Sequence, residues 1–159
     1  MSMASTAVAA TLQDELQATE TLIALMQQEQ QQLIDAQVDA LPTLTERKSV
    51  LVAQLSTLTR RRHAALAAAG MRADEHGMQD WLAAQGATSA AAAQAWQQLR
   101  SHCDTAREQN RINGMLISRH LVRGQTELNI LQGQPQHSTL YGRNGQTATA
   151  AAGRGRAIG

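Results

Sequence analysis

Residues 12–34 read LQDELQATETLIALMQQEQQQLI, and the spacing of their apolar positions decides the fold. Leu12, Leu16, Thr19, Ile23, Met26, Gln30 and Leu33 succeed one another at intervals of 4, 3, 4, 3, 4 and 3. That is the heptad seam of a helix packed along its whole length, and Leu22, Leu25 and Ile34 widen it. The spacing predicts a first helix over about 5–38. Asp39, Ala40 and Leu41 then lead into Pro42, which suits the first turn of a second helix because its missing N–H would have no partner there.

The second helix reads Leu44, Lys48, Leu51, Leu55, Leu58, Arg62 and Leu66, with Val52 beside them, and stops at Gly70, a residue that accepts positive φ without a Cβ clash. Two long helices joined so tightly are antiparallel. Between Met71 and Gly86 a short amphipathic piece carries Met78, Trp81 and Leu82, and it is placed as a cap on the open end of the hairpin. Thr88 or Ser89 is the expected N-cap of a third long helix, with the seam Trp96, Leu99, Cys103, Ala106, Asn110, Asn113 and Ile117. Leu121, Gly124, Leu128 and Leu131 continue it until Gly133 and Pro135.

The expected fold is therefore all-α. A long antiparallel hairpin and a third helix form a three-helix, coiled-coil-like bundle over 1–133, with a short capping helix. Residues 134–159 carry little that is apolar beyond Leu140, Tyr141 and Ile158, so a flexible tail is expected there. Composition agrees. Of the 159 residues 43% are hydrophobic and only 2% aromatic, with no Phe, which argues against most β architectures. The formal net charge of +1 is too small for a broad phosphate-binding surface, so nucleic acid is not an expected partner. Residues 1–40 hold Asp14, Glu15, Glu20, Glu29, Asp35 and Asp39 and no Lys or Arg. This asymmetry predicts attraction between the first helix and the basic later ones, through exposed pairs worth about 0–1 kcal/mol each.

Little in the chain suggests chemistry. Its five histidines are not spaced as metal ligands, no glycine-rich loop joins a strand to a helix, and no cofactor or catalytic residue is expected. The single Cys103 reads as a small core residue in a reducing compartment. No segment has the length and apolarity of a membrane span, so a cytoplasmic protein without direct membrane insertion is expected. Arg60, Arg61 and Arg62 complement the partial negative charge at the end of the second helix, with docking of an acidic partner as the alternative. Trp81 and Trp96 read as core. Asn110 and Asn113 place two amides on an apolar seam beside Gly114, which points either to internal register and a close helix crossing or to a partner contact. Removing a buried amide relieves desolvation but loses register, so Asn113→Leu is expected to leave stability unchanged or raise it while broadening the oligomeric state.

The string Asn110, Arg111, Ile112, Asn113, Gly114, Met115, Leu116, Ile117, followed later by Leu140, Tyr141, Gly142, Arg143, Asn144, Gly145, resembles the FlgN family of flagellar export chaperones. The resemblance runs in outline over residues 10–146 and rests on N-x-x-N-G-x-x-I and Y-G-x-x-G. It implies a cytoplasmic, ATP-independent chaperone for the hook–filament junction proteins FlgK and FlgL, and a docking step at the export gate. Asn110, Asn113, Gly114, Ile117, Leu121, Leu128 and Leu131 are then the expected substrate-facing residues, and Tyr141 the contact to the gate. Self-association is compatible with such an exposed seam. The alternative is a structural coiled-coil component of the export apparatus.

Overall fold

The computed structural model describes residues 2–133, together with the backbone of 140–141 and 147–148. Four α-helices dominate: α1 (Met3–Ile34), α2 (Leu41–Ala68), α3 (Glu75–Gln85) and α4 (Ala90–Leu131). Single 3-10 turns at Val38–Ala40 and Gly86–Ser89 precede α2 and α4. One compact unit spans Met1–Ser118 and a second spans Arg119–Gly159. In the second, β1 (Leu140–Tyr141) pairs antiparallel with β2 (Thr147–Ala148), Leu140 opposite Ala148 and Tyr141 opposite Thr147. The other residues of the expected tail lie outside the described ones.

The first helix ends four residues sooner than its periodicity suggests. Asp35 closes it, Ala36 takes a left-handed φ of 55°, and the N–H groups of Ala36 and Gln37 donate to Leu33 O and Gln32 O at 3.3 and 2.9 Å. This is the pair of hydrogen bonds that normally ends a helix at glycine. An alanine performs it here against its Cβ sterics. At the end of α2 the same turn is made by Gly70, at φ 80°, as the sequence predicts. Pro42 sits in the first turn of α2 as expected.

α1 and α2 are antiparallel and lie close along their length, while α4 runs alongside α1 in the same direction and stands farther out, meeting the hairpin through side chains. At one end Val8, Leu12, Leu66, Met78, Trp81 and Trp96 form the main apolar core. α3 supplies Met78 and Trp81 to it, and the Trp81 indole donates to Ser5 Oγ at 3.3 Å. The cap is held at its start by Asp74, which accepts the Gly77 N–H at 2.8 Å, and that bond keeps the Asp74 carboxyl below its ordinary range. Gly77 lies so near the Arg72 carbonyl that no Cβ fits. Farther along, Leu22, Met26 and Ala106 form a second cluster with Ile23, Leu51 and Leu55 against it.

Three local expectations need correction. The buried face of α1 is turned slightly from the expected seam: Leu22, Leu25 and Glu29 are buried where Ile23 and Gln30 are only half-buried. Thr88 and Ser89 do not cap α4 by accepting N–H groups; Thr88 donates to Gln85 O, and Ser89 donates to Leu82 O and Gly86 O, closing the 3-10 turn instead. The largest change concerns charge. Glu15 and Glu29 are each 2% exposed, so the attraction between α1 and α2 runs through the interior and not through exposed pairs.

Glu15 accepts from Arg62 Nε at 2.8 Å and from Thr59 at 2.9 Å, and the Arg62 guanidinium lies 4.8 Å from the centre of the Trp96 ring. Arg62 thus belongs to a buried pair and does not serve the helix terminus. Two heptads along α1, Glu29 accepts from Lys48 Nζ at 3.1 and 3.2 Å and from the Asn113 amide at 2.7 Å. Asn113 also donates to Met26 O at 2.8 Å and accepts from Gln109 at 2.9 Å.

These bonds reverse the sign expected for Asn113→Leu, because the substitution strands Met26 O and removes a donor from a buried carboxylate. We expect it to lower stability by about 2 kcal/mol, measured by urea unfolding. Ala36→Gly should raise stability by about 1 kcal/mol, since glycine removes the Cβ penalty of the left-handed turn; an unchanged urea midpoint would show that the turn carries no strain.

Candidate functional site

With the core accounted for, the apolar side chains left outside it concentrate on the second half of α4. Leu121, Leu128 and Leu131 are 70%, 51% and 84% exposed, and Ile117 is 40% exposed. At 3.6 residues per turn these four and Gly124 fall on one stripe roughly 80° wide. Met115, Val122 and Ile130 are exposed as well and occupy the opposite face of the helix, which periodicity along the expected seam did not reveal. An apolar residue every three to four positions reads as a seam whether or not anything covers it, so a second, shorter stripe behind the first was hidden among Arg119, Arg123 and Glu127.

Ile117 also lines an open, mainly apolar cavity of about 700 Å³ with Val38, Leu41, Pro42 and Val50, where the α1–α2 turn meets α4. Val38 and Val50 are 50% and 63% exposed, and neither was singled out from the sequence.

The two asparagines part company. Asn113 is 1% exposed and fully engaged inside the bundle, so it serves the register and leaves the substrate-facing set. Asn110 is exposed and accepts from Lys48 at 3.4 Å. A Cβ on Gly114 would meet nothing within 4 Å, which overturns the close helix crossing, one of the two readings of that position. Beside it Arg111 is bound to Glu108 at 2.7 and 3.0 Å; that pair holds the Glu108 carboxyl below and the Arg111 guanidinium above the ordinary range. Tyr141 is described as backbone alone, in β1.

A family model described as FlgN protein matches residues 1–149. The chain belongs to the FlgN family. It is 33% identical over 127 residues to the flagella synthesis protein FlgN of Escherichia coli (strain K12), covering 79% of this chain and 78% of that one. With the flagella synthesis protein FlgN of Salmonella typhimurium (strain LT2) it shares 31% over 128 residues, 79% of each chain. No solved structure matches. As a FlgN chain it has, among the described residues, no trio of His, Cys, Asp and Glu that could hold a metal ion, and no helix long and apolar enough to cross a membrane.

Cys103 is half-buried against the main core. Burial pushes its thiol up, outweighing the opposite pull of Arg107. A raised thiol pKa means less thiolate at pH 8, so iodoacetamide should modify Cys103 more slowly in the folded chain than in urea; equal rates would contradict the burial.

Proposed function

We propose that this FlgN chain is a cytoplasmic export chaperone that binds the hook–filament junction proteins FlgK and FlgL, prevents their premature assembly and delivers them to the flagellar export gate. One observation carries the reading: the stripe Ile117, Leu121, Leu128 and Leu131 is exposed in a chain whose relatives are flagella synthesis proteins. Junction subunits assemble through amphipathic terminal helices, and an apolar stripe on a long helix covers such a segment by the helix-in-groove mode. A contact of this kind is modest in area and reversible, as delivery requires. Gly114 sits one turn and Asn110 about two turns before the stripe, where an exposed amide and an open backbone admit a closely packed partner helix. Tyr141 is assigned to the cytoplasmic domain of the gate, apart from the substrate stripe, because a tyrosine supplies a rigid anchor with a hydroxyl. Self-association through the stripe competes with substrate.

Co-expression with FlgK and FlgL of the same organism, followed by size-exclusion chromatography with mass measurement, tests the reading. Burying a leucine contributes up to about 1.5–3 kcal/mol, so Leu128→Asp with Leu131→Asp should weaken either complex at least about tenfold. Unchanged helicity with unchanged affinity would overturn it.

A further inference from the structure

The turn between α1 and α2 buries its leucines but leaves its valines in water. Leu33 and Leu44 are 2% and 7% exposed, whereas Val38 and Val50 are 50% and 63% exposed. With Leu41, Pro42 and Ile117 these valines line the open, mainly apolar cavity of about 700 Å³ at that turn. α2 contributes neighbouring pairs one turn apart, Leu41 with Pro42, Thr45 with Glu46 and Ser49 with Val50. Its part of the wall therefore runs for roughly 14 Å at 1.5 Å per residue, enough for about two turns of a docked helix.

The wall carries one charge. Among the described residues Glu46 is the only ionisable one in the lining, beside the hydroxyls of Thr45 and Ser49. Asp39 stands next to Val38 in the 3-10 turn, and residues 35–46 hold Asp35, Asp39 and Glu46 with no Lys or Arg. Asp35 accepts from Gln31 at 2.9 Å, but Asp39 and Glu46 are exposed and, among the described residues, form no hydrogen bond or ion pair. The next cations along α2 do not neutralise them. Lys48 is committed to Glu29 and Asn110, and Arg47 shares a different cavity with Glu46 without coming within ion-pair distance of it. An apolar groove with unanswered carboxylates favours an occupant that is apolar on one side and cationic at its edge. The aliphatic stem of a Lys or Arg covers apolar surface while its head reaches a carboxylate.

We propose that this groove receives a basic amphipathic helical segment of the bound export substrate, with apolar side chains on Val38, Val50 and Ile117 and a Lys or Arg against Asp39 and Glu46. The proposal rests on the chaperone reading and adds what that reading leaves open, the charge of the segment that is held. Ile117 is both the first residue of the exposed stripe on α4 and a wall of the groove, so a helix seated on Ile117 meets both surfaces. A second copy of this chain is a poorer occupant. Seated groove to groove across a two-fold axis, it would set Asp39 and Glu46 against their own counterparts, and like charges repel.

The test measures binding of the full chain to purified FlgK and FlgL of the same organism. Glu46→Lys reverses the charge of the groove without breaking a bond, and Glu20→Lys, the same change at another exposed and unpaired acid, is the control. Glu46→Lys should weaken binding by about fivefold or more and Val50→Asp by about tenfold, while Glu20→Lys changes it by less than about twofold. All three variants should keep the melting temperature of the parent chain, since none of these side chains is in the core. A benzophenone amino acid at position 50 should crosslink to a peptide of FlgK or FlgL that carries a Lys or Arg within one helical turn of the linked residue. Changing that cation to Glu should then restore binding to Glu46→Lys. Binding that survives both groove substitutions, or the absence of a crosslink to a cation-bearing peptide, would overturn this inference alone. Binding strengthened by the substitutions would show that another segment of this chain holds the groove, and loss of a dimer with substrate affinity intact would assign it to a second copy; either result overturns the proposal. Failure of the wild-type chain to bind either junction protein would overturn the inference together with the reading on which it rests.

Discussion

The bundle depends on two charged layers set into an otherwise apolar interface, Glu15 with Arg62 and Glu29 with Lys48 and Asn113. Buried ion pairs add little net stability, because desolvation cancels most of the attraction, yet removing one partner costs about 3–5 kcal/mol. Their effect is on alignment. Glu15 and Glu29 are two heptads apart on α1, and Arg62 and Lys48 are two heptads apart on α2. Sliding α2 by one heptad against α1 would place Glu29 opposite Leu55 or Leu41 and leave both carboxylates buried without cations. Leucine layers alone would tolerate that slip. The charges do not.

The same layers determine how α4 attaches. Asn113 joins α4 to α1 through the Met26 carbonyl and Glu29, and Trp96 joins it to α2 through the face of Arg62. Between these points the α4 backbone keeps its distance, and a cavity of about 420 Å³ lined by Arg62 and Trp96 is the space that results. Tight α1–α2 packing and looser α4 packing therefore arise from one arrangement. Large side chains and charged groups hold α4 out, whereas the alanines and leucines of the hairpin let its two helices approach.

Most of the fold was legible because each helix announces itself by period and punctuation. Pro42 opens α2, Gly70 closes it, and Met78 with Trp81 marks the cap. The end of α1 was not legible, since Ala36 adopts a conformation that sequence reading reserves for glycine. Nor were the buried carboxylates. Glu15 and Glu29 flank apolar seam residues, and their partners Arg62 and Lys48 stood on the expected seam of α2 as its two charged positions. Pairing those two cations with acids of matching spacing on α1 was the signal available. Of the candidate site, the stripe on α4 could be read as apolar period without a partner. Asn113 could not be assigned, because an amide on a seam looks the same whether it faces Glu29 or an incoming helix.

The order in which the chain leaves the ribosome gives the charged layers a further consequence. Both cations that pair with the buried carboxylates of α1 lie on α2, joined to α1 by the short turn at Asp35–Ala40. The contacts that pair the two carboxylates with cations are therefore local to the hairpin and need nothing from α4. When Asn113 emerges, about fifty residues later, it meets a carboxylate already held in place by Lys48 and has only to add its own two bonds.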